Sequence, residues 1–259
     1  APTAVHVDHG LRPGSDRDFA VVCAAADALG VVARCERLVV GDGPNLEARA
    51  RDARYAALEL ARGRLGATAI LVGHTADDQA ETVLVNLLRG AGLNGLAGMR
   101  ADQRRPLLAL RRADTEALCD ALQLTVVHDP SNLDPRHLRN RVRHELLPLM
   151  ADLAQRDLVP VLARQADVLR GDAELLDELA AALDPTDARA LAAAPLALAR
   201  RAVRRWLTGE HPPDLATVDR VLQVARGEAL ATDVGDGRRV SRHQQRLRLD
   251  PSPHSSASD

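Results

Sequence analysis

Apolar residues follow two different rhythms along this chain, and the change between them divides it. In the first part short apolar runs alternate with stretches of helical period. Thr3 to Asp8 alternates, with Val5 and Val7 on one side and His6 and Asp8 on the other, which predicts a short strand. Ser15 to Leu29 reads as a helix capped by Ser15 and stopped by Gly30, and Val31 to Val40 as a strand broken by Gly41-Asp42-Gly43-Pro44. Asn45 caps a long helix, Leu46 to Leu65, and Gly66 stops it. Ala69 to Val72 is a four-residue apolar run that reads as a buried parallel strand. Gly73 and His74 turn the chain, Thr75 with Asp78 spells a capping box, and a helix runs from Ala76 to about Arg89. Strand, helix, strand, helix, strand, helix is the order of a doubly wound α/β unit with a mainly parallel sheet. Further on come an edge-like segment at Arg105–Leu108, a helix from Asp114, a last strand at Thr125–His128, a turn-rich loop at Asp129–Asp134 and a helix from about Arg136.

From Ala151 the pattern is helical alone, until Thr232–Leu249 returns to alternation around Gly235-Asp236-Gly237 and predicts a small β-ribbon. The expected organisation is therefore an α/β domain over residues 1–149, a smaller helical domain ending in a β-ribbon over 150–249, and a disordered tail over 250–259.

Composition narrows the class. The 259 residues suit one large or two modest domains, and 46% hydrophobic content is ample for a core. Only Phe19, Tyr55 and Trp206 are aromatic, so that core is built of Leu, Val and Ala. A net charge of −2 gives no global pull towards nucleic acid. Every basic residue is Arg, a sign of GC-rich coding more than of function. Cys23, Cys35 and Cys119 are scattered, which fits a reducing cytoplasm and neither a disulfide framework nor metal-ligand spacing. No apolar run approaches the length of a membrane span, and no signal peptide opens the chain. The chain begins without Met and almost directly on a strand, so an upstream segment is expected to be missing.

Candidate chemistry gathers at residues 74–81. His74 and three carboxylates, Asp77, Asp78 and Glu81, crowd what reads as the carboxyl end of a parallel strand, where open α/β sheets bind ligands. Asp78 and Glu81 are three apart on one helical face and can converge on a cation or an amine. Acids in a first helical turn also complement the macrodipole, but capping needs fewer of them. The turn after Thr3–Asp8 is a candidate nucleotide contact by the same strand-end argument. Gly90, Gly92 and Gly95 spell G-x-G-x-x-G, yet they close a helix where a dinucleotide fingerprint opens one, so a flexible loop over the ligand edge is expected. Arg49, Arg51 and Arg54 read mainly as a solvated helix face. Asp152, Asp157, Asp167, Asp172, Glu174, Asp177 and Glu178 read as a solvated connector. Arg200 with Arg204, and Arg201 with Arg205, stack at i, i+4, a like-charge crowding that favours a phosphate-bearing partner. The ribbon adds Arg238, Arg239, Arg242, Arg246 and Arg248.

Several stretches together resemble one family. These are His6-Val7-Asp8-His9-Gly10-Leu11-Arg12, Asn45-Leu46-Glu47-Ala48-Arg49-Ala50-Arg51 through Tyr55, and Gly73-His74-Thr75-Ala76-Asp77-Asp78-Gln79-Ala80-Glu81-Thr82. Arg89 to Leu96, and Asp129-Pro130-Ser131-Asn132 running into Arg139-Asn140-Arg141-Val142-Arg143, extend the match over most of residues 3–149. They are similar to the tRNA(Ile)-lysidine synthetase family, of the PP-loop (N-type ATP pyrophosphatase) superfamily, whose Rossmann-like fold the resemblance implies. It implies adenylation of the wobble cytidine of tRNA(Ile) with a CAU anticodon at its C2 oxygen by ATP, then displacement of AMP by the ε-amine of L-lysine. His6, Asp8, His9, Gly10, Arg12 and Gly73 then become the nucleotide-contacting set. Asp78 becomes a hard oxygen ligand for Mg²⁺, and His74, Asp77, Asp78 and Glu81 the groups that hold and deprotonate the ammonium. Arg139, Arg141, Arg143, Arg200, Arg201, Arg204, Arg205, Arg238 and Arg239 become candidates for tRNA phosphates, and a homodimer is possible.

One departure has consequences. The superfamily's Ser-Gly-Gly-x-Asp-Ser loop occurs nowhere in the 259 residues, and Gly10 to Ser15 is no substitute because Pro13 removes a backbone donor. This chain is therefore expected to bind ATP poorly and not to turn over. Two rivals stand beside this reading. A tRNA thiolase of the same superfamily would want thiols or an iron–sulfur cluster. A non-catalytic tRNA-binding remnant would keep the arginines and have no need of the acids.

Overall fold

The computed structural model describes residues 1–8, 10, 15–38, 46–127, 129–209 and 212–251. The chain folds into two compact units, Ala1–Ala166 and Asp167–Asp259.

The first unit opens on β1 (Thr3–Asp8), α1 (Ser15–Ala28) and β2 (Val32–Arg37). β1 and β2 pair in parallel, with His6 opposite Cys35 and Asp8 opposite Arg37. Gly30, at φ +66°, supplies the left-handed residue that ends α1, and Val31 N–H closes back onto the Ala26 carbonyl at 2.8 Å. Helix α2 (Leu46–Arg64) follows, and the expected cap Asn45 and the Gly41–Pro44 break lie outside the described residues.

Ala69–Val72 does not join the sheet. The segment is extended but carries no ladder: Val72 N–H bonds the Arg104 carbonyl at 2.8 Å, and Leu71 is 60% exposed. An apolar run forms a strand only where a neighbouring edge satisfies its backbone, and among the described residues β1 and β2 pair with each other alone. The expected strand at Thr125–His128 fails in the same way, with Val126 and Val127 exposed and His128 outside the described residues.

Helix α3 (Ala76–Leu88) begins with the capping box read from the sequence, Thr75 N–H donating to Asp78 Oδ2 at 2.9 Å. It packs Ala76 and Ala80 against Val159 and Leu162, and Leu84 and Val85 against Val142. Those contacts carry the first unit past residue 149, where the change of texture had placed its end. The glycine loop beyond α3 is not loose. It forms the short helix α4 (Leu93–Leu96) and is fastened by Asn86 Nδ2 to the Gly95 carbonyl at 2.7 Å. Gln79, buried in the first turn of α3, pairs both ways with the Met99 backbone at 2.7 and 2.9 Å. Gly98, at φ +59°, lets the backbone pass so close that an added Cβ would meet Gln79 Oε1 at 2.7 Å.

Helix α5 (Arg112–Ala121) starts two residues before the expected Asp114, because Asp114 is its N3 residue and reaches back to the Arg111 N–H at 2.8 Å. A 3₁₀ turn (Pro130–Leu133) leads to α6 (Leu138–Arg141), a π turn (Val142–Leu146), α7 (Leu147–Ala154) and α8 (Val159–Ala181).

In the second unit, α9 (Ala188–Ala193), α10 (Leu196–Leu207) and α11 (Leu215–Arg226) pack on a three-stranded antiparallel sheet. Its strands are β3 (Ala231–Gly235), β4 (Arg238–His243) and β5 (Arg246–Pro251), one strand more than a ribbon. Leu191, Val203, Leu207, Val218, Val221, Leu222, Val240 and Leu247 form one continuous apolar core. The 252–259 tail lies outside the described residues.

Candidate functional site

The first two turns of α3 present Asp77, Asp78 and Glu81 along one side of the helix, and four arginines close over them. Glu81 is 1% exposed, and burying a carboxylate that deeply requires charge-matched donors. Its Oε1 accepts from Arg143 Nε at 2.7 Å and Arg112 Nη2 at 3.1 Å. Its Oε2 accepts from Arg139 Nε at 2.7 Å and Arg143 Nη2 at 3.0 Å. Asp78 gives Oδ2 to the Thr75 N–H and hydroxyl, at 2.9 and 3.0 Å, and Oδ1 to Arg139 Nη2 at 2.9 Å. Asp77 accepts from the Arg112 backbone N–H at 2.7 Å and from Arg111 Nε and Nη2, both at 3.1 Å. Arg111 also binds Asp157.

Burial alone would raise all three carboxyl pKa values, but hydrogen bonds and positive neighbours outweigh it. For Asp77 the opposing partners are Arg111 and the Arg112 backbone, for Asp78 the Thr75 backbone and Arg139, and for Glu81 Arg143 and Arg139. Each carboxyl sits below its usual range as a result. Glu81 in turn raises the Arg143 pKa. His74 stands at the entrance to α3 with its Nδ1 buried and unpartnered. Burial lowers its pKa, Asp78 opposes that, and Arg139, Arg105 and Arg51 add to the lowering, so the ring is neutral at pH 7.

Beside this cluster lies a cavity of about 210 Å³. Its walls combine Asp77, Glu81, Arg112, Arg143 and Asp157 with the apolar Leu147, Pro148 and Val159. The donor set does not fit a magnesium ion. Both Asp78 oxygens and both Glu81 oxygens already serve hydrogen-bond donors, four guanidiniums surround them, and a divalent cation would meet positive charge. Among the described residues no group of three or more His, Cys, Asp or Glu is placed to hold a metal.

The nominated nucleotide residues are distributed unevenly. Asp8 Oδ1 accepts the Gly10 N–H at 2.9 Å, closing the turn after β1. His6 stacks on Phe19 with ring centroids 6.1 Å apart, its Nε2 buried and unpartnered. Gly73 is exposed on the extended approach to α3, and His9 and Arg12 lie outside the described residues.

The structure gathers His74, Asp77, Asp78 and Glu81 with Arg139 and Arg143, two residues nominated for RNA. Arg141 pairs with Glu145 at 3.0 Å on an exposed face. Arg200 makes a bidentate pair with Asp219 at 2.8 and 2.9 Å, Arg201 pairs with Asp177, and Arg205 donates to the Ala180 carbonyl at 3.3 Å. Arg238 donates to the Leu207 carbonyl and Asp236 at 3.3 and 3.2 Å. The Arg204 charge acts on Asp214. Arg239 has no side-chain partner among the described residues. Sequence reading missed Arg111 and Arg112. A signal was present, since two cations at a helix N-terminus oppose the macrodipole and need acids close by.

Comparison with known proteins places these features. Residues 1–150 match the family model of the PP-loop domain, so the α/β unit carrying the cluster is a PP-loop domain. Similar over most of their length are two curated tRNA(Ile)-lysidine synthases. One, from Nocardia farcinica, is 46% identical over 90% of this chain and 77% of its own, and one from Mycobacterium tuberculosis is 42% identical over 87% and 75%. The chain belongs to the tRNA(Ile)-lysidine synthase family, which is a family of ATP-dependent ligases. A solved structure, the U34-tRNA thiolase NcsA from Methanococcus maripaludis with its [4Fe-4S] cluster, has a TM-score of 0.51. At 16% identity, over 65% of this chain and 62% of that one, it shows a shared fold alone.

Proposed function

We propose that this chain carries the lysine-ligation chemistry of its family on tRNA(Ile) with a CAU anticodon. The observation that carries the reading is the head of α3, where a neutral His74 with a free buried Nδ1 stands beside acids held ionised by arginine. In the first step the C2 oxygen of the wobble cytidine attacks the α-phosphate of ATP, and pyrophosphate leaves. In the second the ε-amine of L-lysine adds to C2, AMP leaves, and the ammonium proton must go to a base. Glu81 is engaged by three arginines and makes a poor base. His74 is the proton acceptor, and the neighbouring Asp78 charge favours the protonated ring that results. Magnesium is assigned no ligand in this cluster, and no step is routed through it. A cytoplasmic setting and a homodimer belong to the same reading. Among the described residues no helix is long and apolar enough to cross a membrane.

The test uses tRNA(Ile) with a CAU anticodon, ATP and labelled lysine. The chain extended at its N-terminus by a strand, a Ser-Gly-Gly-x-Asp-Ser loop and a helix is expected to form lysidine, and the chain as it stands to form none. Sulfur transfer in place of lysine incorporation would turn the assignment over to the thiolase reading. An Asp78→Asn variant of the extended chain as active as its parent would sink the site.

A further inference from the structure

Two buried nitrogens at the mouth of α3 have no hydrogen-bond partner, Nε of Arg105 and Nδ1 of His74. The backbone brings their segments together. Val72 N–H bonds the Arg104 carbonyl at 2.8 Å, and Ala76 N–H bonds the Leu110 carbonyl at 2.8 Å. Between these ties the Leu107 side chain passes Gly73, 3.9 Å from where a Cβ would stand. Residues 104–110 therefore run alongside 72–76, and Arg105 and His74 both fall between the two ties.

Arg105 is held by position more than by bonding. Its side chain is 20% exposed, and only its Nη1 finds acceptors, the Arg100 carbonyl and Asp102, at 3.3 to 3.4 Å. Guanidinium–carboxylate bonds normally close to about 2.7–2.9 Å, as those of Arg139 and Arg143 on Glu81 do. The Asp102 contact is loose by that measure. Arg111, Arg112, Arg139 and Arg143 are matched in number by Asp77, Asp78, Glu81 and Asp157, so Arg105 is surplus positive charge at this end of α3. Its charge acts on His74 together with those of Arg51 and Arg139, while Asp78, the acid facing the ring, gives both oxygens to Thr75 and Arg139. A buried guanidinium nitrogen without an acceptor is costly, and the group it lacks is an anion. A carboxylate has two oxygens to offer, whereas the tetrahedral oxygens of a phosphate can meet two guanidiniums and an imidazole at once.

We propose that Arg105, with Arg51 and beside His74, holds the phosphate that joins AMP to the wobble cytidine and stabilises its charge as it leaves. The proposal rests on the reaction assigned above. In its second step the lysine ε-nitrogen forms a bond to C2, and the C2–O bond breaks with its electron pair passing to the phosphate oxygen. The ammonium proton goes to His74. AMP departs with one more negative charge than the phosphodiester carried, and that charge develops against a guanidinium placed for it in advance. The same negative charge offsets the arginines that disfavour a protonated His74.

The chain as it stands tests the phosphate site without turnover. Inorganic phosphate and AMP are titrated to about 20 mM while the arginine Nε–H and His74 ring signals are followed by nuclear magnetic resonance. Arg105→Lys assigns the Arg105 signal by its loss. Expected is a saturable shift of the Arg105 and His74 signals with both compounds and none with adenosine. Arg105→Lys, which keeps the charge and loses the fork, should weaken binding about tenfold as read at His74. Asp102→Asn still accepts the Arg104 N–H but no longer competes for Arg105, and should tighten binding several-fold. An ion pair that merely braced its turn would give no such gain. The absence of a saturable shift at Arg105, or an equal drift of many arginine signals, overturns the site. Lysidine formed at the parental rate by an Arg105→Lys variant of the N-terminally extended chain overturns the leaving-group role. If the extended chain forms no lysidine at all, that role falls with the reaction, while the titration still decides the phosphate site.

Discussion

Glu81 shows how far a single residue can organise a site. A carboxylate 1% exposed is tolerable only because Arg112, Arg139 and Arg143 deliver four hydrogen bonds to its two oxygens. Removing its charge leaves three partly buried guanidiniums facing one another. Glu81→Gln is therefore expected to lower stability by about 3 kcal/mol, the scale for breaking a buried pair from one side. Urea titration measures it, and a loss under about 0.5 kcal/mol, the scale of ordinary surface substitutions, would mean that the arginines find other partners. Acid acts on the same groups. Asp77, Asp78, Glu81 and His74 all have folded pKa values below their ordinary ones, so the unfolded chain takes up more protons as pH falls. Stability from His74 is full above its ordinary 6.5 and falls away below it, and the loss steepens below the 4.5 of Glu81. Unfolding free energies measured across that range should show two regimes, with Glu81→Gln flattening the lower one alone. The acids were legible as a motif because their chemistry depends on spacing within one helix. Which partners they meet was not, because Arg111, Arg112, Arg139 and Arg143 arrive from 31 to 62 residues downstream.

At the scale of elements, local signals were read correctly and dependence on neighbours was not. The capping box of α3 and the stop at Gly30 are set by a few consecutive residues, and both stand where the pattern put them. Ala69–Val72 has the apolar content of a strand but pairs with no strand among the described residues, and no local pattern encodes which neighbour a strand will meet. The glycine loop misled in the opposite sense. Its composition reads as slack, while Gln79 and Asn86 tie it to α3 from a distance. The β4–β5 turn is a place where the sequence is not optimal for its conformation. Gln244 and Gln245 take φ +45° and +66°, values that cost residues with a Cβ and that Asn and Gly adopt readily. Replacing the pair by Asn-Gly should raise stability by on the order of 1 kcal/mol. Thermal unfolding would register the gain as a higher Tm, and a lower one would mean that the Arg242 contact to Gln245 outweighs the backbone.

For the molecule as a whole, the arginines nominated for tRNA divide into those with a partner inside the protein and those without one among the described residues. Arg200, Arg201 and Arg205 join helices within the second unit, and their i, i+4 stacking, which favoured a phosphate partner on sequence grounds, is relieved by Asp219, Asp177 and a carbonyl. Arg239 and Arg248 stay open. Register places Arg239 opposite Asp250 and Arg248 opposite Ser241, on the face of the sheet away from buried Val240 and Leu247. A protein near neutral overall binds RNA through such local sets, and each phosphate contact leaves a mark in the salt dependence. Arg239→Ala should weaken tRNA binding several-fold and reduce the slope of log K against log salt by about 0.7 to 0.9. Arg200→Ala, by contrast, should change stability little, because the pair it breaks is solvent-screened, and should leave the salt slope unchanged. Filter binding across a salt series separates the two. If Arg200→Ala shifts the slope and Arg239→Ala does not, the tRNA lies along α10 and the Asp219 pair opens to receive it.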